Sequence, residues 1–151
     1  MYHIKKFQKE MQSQVIDFYE KCLPESGRIF EPKGVHKCLT EIEKNYDYFL
    51  CLFDESEVIG TIAINRMDEG KCELRSVYLL EAYHGKGLGT KMMKEAICYA
   101  KNSNFHEMYL DTISSTSQKA IRMNRRCGFI DIKRYKSTIR SDVFMKLTLR
   151  G

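Results

Sequence analysis

The stretch LRSVYLLEAYHGKGLGTKMM, residues 74–93, constrains the fold of this chain more than any other. It opens as a β-branched and aromatic run, passes three glycines in five residues (Gly85, Gly87, Gly89), and ends with helical spacing. A strand therefore enters a helix through a loop whose backbone can take positive φ and lies unshielded by Cβ atoms. The N–H groups of such a loop can converge on one point. The first turn of the helix adds unpaired N–H donors and the positive end of its dipole. The product is an anion site, with phosphate the usual guest. Lys86 and His84 add a cation and a hydrogen-bonding ring.

The rest of the chain changes period around this loop. Residues 2–7 read as a short strand, and Met11, Val15, Phe18, Tyr19 and Cys22 form a helical stripe over 9–22. Both prolines fall in 23–34, which reads as a loop, and Val35, Cys38, Leu39 and Ile42 place a second helix over 35–45. Three strand-like runs follow at 46–54, 57–67 and 71–80, separated by the short turns DESE and DEG, so they predict an antiparallel meander. In the third, Glu73, Arg75, Val77 and Leu79 share one face unless a bulge intervenes. Leu88, Met92, Ala96 and Ala100 make an amphipathic helix to about Lys101. A strand at 106–112, a helix after Ser117 stopped by Gly128, and strands at 129–135 and 142–149 complete the order. These elements predict an α+β fold: a mixed, mostly antiparallel sheet of about seven strands flanked by about four helices. The chain of 151 residues reads as a single domain, 1–151.

Charge and cysteine usage narrow the setting. The net charge of +5 is uneven: residues 117–151 carry ten Lys+Arg, Arg150 among them, against Asp131 and Asp142. A basic third suits a phosphorylated ligand. No nucleic-acid motif accompanies it, so nucleic acid is not an expected partner. The six cysteines show no CxxC and no Cys/His cluster of zinc spacing, which predicts free thiols and no metal. The N-terminus has no signal-peptide core and no apolar run reaches membrane-spanning length, so the expected location is cytoplasmic, off the membrane.

Three phosphate motifs can be compared with the loop. A Walker loop needs Gly-Lys followed by Ser or Thr, whereas Gly89 precedes Thr90-Lys91. A dinucleotide fingerprint needs GxGxxG; Gly85, Gly87 and Gly89 give GxGxG, and a meander stands where βαβ units belong, although Asp111 could imitate the ribose-binding acid. The third motif fits. His84-Gly85-Lys86-Gly87-Leu88-Gly89 resembles the [Gln/Arg]-x-x-Gly-x-[Gly/Ala] acyl-CoA signature of the GNAT superfamily of N-acetyltransferases. LLEAY resembles the family's Val-x-Pro-x-Tyr, with Leu79 for Val and Glu81 for Pro, and SQKAIRMNRRCGF (117–129) resembles its NxxAIxLYEKLGF.

This resemblance implies roles by position. Val77, Tyr78 and Leu79 would offer main-chain groups to the pantetheine arm of acetyl-CoA. His84, Gly85, Lys86, Gly87, Leu88, Gly89 and Thr90 would cradle its pyrophosphate. Ser117 stands where the family often has Asn near the pantetheine. In the histone-acetylating branch a strand Glu, eleven residues before the phosphate motif, deprotonates the amine; counting back from His84 gives Glu73. A base is needed because a lysine-like amine, with pKa about 10.4, is mostly protonated at neutral pH. The Leu79 N–H is the implied donor to the oxyanion. The family usually has Tyr where this chain has Asn124, and Asn can donate a hydrogen bond to the leaving sulfur but not a proton. Tyr135 and Tyr83 are possible substitute acids.

The implied activity is acetyl transfer to a primary amine of a small molecule or protein, by a monomer or homodimer. The alternative is an acyl-CoA-binding sensor with little turnover. Arg28, Glu31 and Asp142, in the 23–34 loop and at the end of the 135–142 connection, are candidates for contact with the acceptor.

Overall fold

The computed structural model describes residues 1–149; Arg150, the last of the basic residues, and Gly151 lie outside the described residues. Seven strands form one sheet: β1 (Tyr2–Lys6), β2 (Tyr48–Asp54), β3 (Glu57–Asp68), β4 (Lys71–Leu79), β5 (Glu107–Thr112), β6 (Ile130–Asp131) and β7 (Val143–Thr148). Their spatial order is β1-β2-β3-β4-β5-β7-β6. All neighbours are antiparallel except β4 and β5, which run parallel. The crossover between those two is α3 (Leu88–Asn102). The other helices are α1 (Gln12–Glu25), α2 (Ile42–Asn45) and α4 (Gln118–Arg126).

Helices cover both faces. Thr61, Ala63 and Asn65 of β3 share one face, and Tyr19 of α1 reaches it through a 2.6 Å hydrogen bond to Thr61. On the opposite face α3 approaches Gly60 closely. A Cβ added there would meet Leu79 Cδ1 and the Tyr78 carbonyl at 3.1 Å and Met92 Cε at 3.2 Å. Val15, Phe18 and Leu23 of α1 and Met92, Met93 and Ala96 of α3 are buried in these two layers. Among the described residues no helix is long and apolar enough to cross a membrane.

Four local expectations differ from the structure. First, α1 extends past Cys22 to Glu25 and contains Pro24. In the last turn a proline forfeits one intrahelical bond, and the helix then stops at Gly27, whose φ is +78°. Second, residues 35–45 do not make one helix. A 3-10 turn at Lys37–Thr40 is separated from α2 because the Gln12 side chain intervenes. Its Nε2 donates to the Leu39 carbonyl (2.9 Å), and its Oε1 accepts from the Ile42 N–H (3.0 Å). Leu39 and Ile42 are buried, whereas Val35 is 49% exposed. Third, the strand expected over 129–135 is confined to Ile130–Asp131: after one more backbone bond, from the Ile132 N–H to the Phe144 carbonyl (2.8 Å), the chain leaves β7 and turns Tyr135 and Lys136 inward. Fourth, a bulge interrupts the alternation of β4, as described below.

All six cysteines are free. Burial pushes the Cys22, Cys51 and Cys72 thiols up to about 12, whereas Cys98 is exposed. The thiolate is the reactive form. Iodoacetamide at neutral pH should therefore label Cys98 first and leave those three unmodified until the protein unfolds, as read by peptide mass spectrometry.

Candidate active site

A fork in the sheet organises the site. β4 and β5 pair only over Lys71–Glu73 and Glu107–Tyr109. Beyond that point β4 stays with β3 to Leu79, while β5 stays with β7 to Thr112. The far half of β4 therefore turns an edge without a strand partner toward the gap.

The bulge lies on this edge. Thr61 pairs with Tyr78 and Ala63 with Arg75, so Ser76 and Val77 together oppose Ile62. Ser76 takes φ +53°, a left-handed conformation that costs a non-glycine residue about 1–3 kcal/mol. Surrounding hydrogen bonds hold it there. Tyr46 OH pairs with Ser76 Oγ (2.8 Å), and Thr61 Oγ1 donates to the Ser76 carbonyl (2.8 Å) while accepting from Tyr19 OH (2.6 Å). The extra residue places Tyr78, Arg75 and Glu73 on the α1 face and moves Leu79 to the α3 face. This separates Leu79 from Glu73, with which strict alternation would have grouped it. Thr61→Val would leave both Tyr19 OH and the Ser76 carbonyl without this buried partner. It should destabilise the fold by about 2–4 kcal/mol in urea titration.

The glycine loop closes one mouth of the fork. After Leu80, whose N–H bonds the Ile59 carbonyl at 2.9 Å, a 3-10 turn (Glu81–Tyr83) leads to Gly85 and Gly87, with φ of +79° and +78°. Gly87 caps α3 without a side-chain bond, and the first turn holds no acidic residue. Lys91 N–H bonds the Gly87 carbonyl at 3.0 Å. The N–H groups of Leu88, Gly89 and Thr90 precede it and have no intrahelical acceptor. A Cβ at Gly85 or Gly87 would meet nothing within 4 Å, so the loop faces open space that a ligand can enter. These features fit a pyrophosphate. Lys86 is exposed beside them. His84 is directed elsewhere: its Nε2 donates to the Leu79 carbonyl at 2.9 Å and ties the loop to the strand end.

Across the gap, Ser117 caps α4, and Asn124 on that helix is only 5% exposed. Arg28 links the two sides. Its Nη1 donates to Tyr78 OH (3.1 Å), and its Nη2 to Thr116 Oγ1 (2.8 Å) and Ser117 Oγ (3.2 Å). The Arg28 Nε is buried and has no hydrogen-bond partner among the described residues.

Glu73 lies where the fork begins, on the α1 face, and is 8% exposed. Its Oε2 accepts from Tyr135 OH (2.8 Å) and Lys136 Nζ (2.9 Å), and Arg75 Nε stands 3.7 Å from Oε1. The same Lys136 Nζ is 2.9 Å from Asp111 Oδ1, so one ammonium bridges a carboxylate of β4 and a carboxylate of β5. Ser141 Oγ donates to the other Asp111 oxygen. Burial, then the charge and hydrogen bond of Glu73, push the Tyr135 phenol well above its ordinary range. Burial works against the charge of Lys136, yet the hydrogen bonds and charges of Asp111 and Glu73 outweigh it and raise its pKa.

The structure thus brings Glu73 and Tyr135 together and adds Lys136 and Ser141, which the motifs did not mark, and Asp111, marked only as an imitation of a ribose-binding acid. Period-2 alternation along β5 could have placed Asp111 beside Tyr109, the partner of Glu73. No sequence signal carried Lys136 there. Tyr83 lies apart: its hydroxyl donates to Asp54 at 2.7 Å, and that carboxylate chiefly pushes the phenol up to about 12. Asp142 bonds Ser114, and Glu31 is 3.9 Å from Arg140, an ion pair between the 23–34 and 135–142 segments. Among the described residues no group of three or more His, Cys, Asp or Glu could hold a metal ion.

Known proteins share this fold. A Staphylococcus aureus acetyltransferase of the GNAT family has a TM-score of 0.89 at 21% identity, over 99% of this chain and 100% of that one. The PaiA N-acetyltransferase of Thermoplasma acidophilum, solved with coenzyme A, has a TM-score of 0.77 at 20% identity, over 98% and 99% of the chains. An uncharacterized N-acetyltransferase of Schizosaccharomyces pombe is 28% identical over 98 residues, which span 64% of this chain and 60% of that protein. The family model for the Acetyltransferase (GNAT) family matches residues 8–129, so the chain belongs to the GNAT family of acetyltransferases.

Proposed function

We propose that the chain acts as one N-acetyltransferase domain, residues 1–151, that moves an acetyl group from acetyl-CoA to a primary amine by direct attack. The observation that carries this reading is the fork, with backbone donors of the glycine loop at one mouth and the carboxylate of Glu73 at its base. Coenzyme A bound to a structural neighbour supports the choice of co-substrate.

Each residue then has a task. The N–H groups of the glycine loop and the first turn of α3, those of Leu88, Gly89 and Thr90 among them, hold the pyrophosphate, and His84 ties the loop to the strand end. The open edge of Val77, Tyr78 and Leu79 bonds the pantetheine arm as an added strand would. The Leu79 N–H donates to the oxyanion. Bound acetyl-CoA supplies an electrophilic thioester carbon and a thiol leaving group with pKa about 8.5. Glu73 accepts a proton from the amine, directly or through water, once Lys136 yields its place on Oε2. Ser117 lines the pantetheine side. The Asn124 amide donates to the departing sulfur.

Asn124 also motivates a second reading, an acyl-CoA sensor, because its amide cannot protonate the thiolate. Free thiol release with acetyl-CoA and a panel of amines, run beside a CoA thermal-shift titration, separates the two. The enzyme reading expects CoA stabilisation and release with some amines. Stabilisation without release across the panel favours the sensor, and no stabilisation refutes both. Asn124→Tyr should raise kcat if the wild type is limited by the missing acid. An unchanged kcat would mean that thiolate departure is not limiting.

A further inference from the structure

Lys136 has an unusual place for a surface-loop lysine. Its ammonium lies at the base of the fork, 2.9 Å from Glu73 Oε2 and 2.9 Å from Asp111 Oδ1, on the α1 face of the sheet. Its side chain is only 35% exposed. It is itself a primary amine, already hydrogen-bonded to the carboxylate assigned as the base. Its position is set by neighbours rather than chance: Tyr135, the preceding residue, is locked between Tyr109 (5.1 Å, edge-on) and Phe144 (5.6 Å, edge-on).

We propose that Lys136 is a self-acetylation site, the intramolecular acceptor of the chain's own acetyl transfer. The proposal rests on the acetyltransferase reading above. In the step, Nζ gives one proton to Glu73 and forms a bond to the acyl carbon. The carbon–sulfur bond breaks, the thiol takes up a proton, and a second Nζ proton is lost as the amide forms. The net products are Nε-acetyl-lysine, CoA and one released proton, with no oxidant or reductant. The amide carries no charge, so it cannot replace the ammonium between Glu73 and Asp111. Acetylation therefore frees both carboxylates to receive an external amine.

The reaction is slow at neutral pH. The groups around Nζ are Glu73 and Arg75 from β4, Asp111 from β5 and Tyr135 from its own segment, and the two carboxylates keep the ammonium charged. Below the raised pKa the free-amine fraction, and with it the labelling rate, climbs about tenfold per pH unit.

The test is peptide mass spectrometry of the full chain after incubation with acetyl-CoA, alongside the CoA thermal shift. The expected result is one acetyl group on Lys136, formed at a first-order rate independent of protein concentration and absent from Lys136→Arg. Acetyl groups scattered over exposed lysines, or a rate that rises with protein concentration, would overturn the inference. Release of CoA with an amine acceptor while Lys136 stays unmodified would overturn it and leave the acetyltransferase reading standing. Failure to bind CoA at all would sink both.

Discussion

Glu73→Gln should lower kcat/KM for an amine acceptor by about 10²–10⁴-fold at neutral pH, with CoA affinity nearly unchanged. The amide is close in shape to the carboxylate, and its carbonyl oxygen can still accept the hydrogen bond from Tyr135 OH. What it loses is the capacity to take a proton. Lys136 keeps its second partner, Asp111, so the base of the fork retains one ion pair. Two readouts distinguish this from simple structural damage. Thermal stability with and without CoA should move little, and raising the pH should recover part of the lost rate as the acceptor deprotonates unaided. An unaltered rate at neutral pH would remove Glu73 from the chemistry and leave it as a partner for Lys136 and Tyr135.

Gly87→Val should weaken CoA binding by about tenfold or more. At φ +78° a β-branched side chain is strained by about 1–2 kcal/mol, a cost that the loop can relieve by rearranging. Rearrangement turns the N–H groups of Leu88, Gly89 and Thr90 away from a common point. No neighbour lies within 4 Å of the added Cβ, so the core is not disturbed. The loss should therefore appear in CoA affinity, measured by calorimetry, while the far-ultraviolet circular dichroism spectrum stays that of the wild type. A variant that binds CoA normally would show that the pyrophosphate is held elsewhere.

Much of the fold was legible in the residues because period and punctuation agreed. The meander of β2, β3 and β4 could be read from short turns, one of which carries Gly70 at φ +76°. The amphipathic stripe of α3 placed Leu88, Met92, Ala96 and Ala100 inside, and all four are buried. The departures arose where tertiary contacts outweighed local pattern. Gln12, distant in sequence, captured backbone groups of Leu39 and Ile42 and split a helix. Tyr46 and Thr61 stabilised a left-handed Ser76 that no local propensity predicts, and the resulting bulge moved Leu79 off the face of Glu73.

The candidate site divides along the same line. The glycine loop is a local motif, so the turn through Gly85 and Gly87 into α3 could be read from spacing, whereas the tie of His84 to the Leu79 carbonyl could not. The base of the fork is assembled from three distant segments, around Glu73, Asp111 and Lys136, that meet only through sheet register and a chain reversal. Arg28 is similar: it follows α1, yet it ties Tyr78 on β4 to Ser117 at the start of α4. Contacts of this kind leave no periodic trace.

The most direct test of acetyl transfer by direct attack at the fork is an initial-velocity grid over acetyl-CoA and an amine acceptor, with released CoA and N-acetyl product quantified together. Direct attack predicts one CoA released per acetylated amine, and reciprocal plots that intersect, because both substrates must occupy the fork at once. Parallel lines would mean a covalent acetyl-enzyme on the path, and CoA binding with no acetylated product would mean that the fork senses rather than transfers.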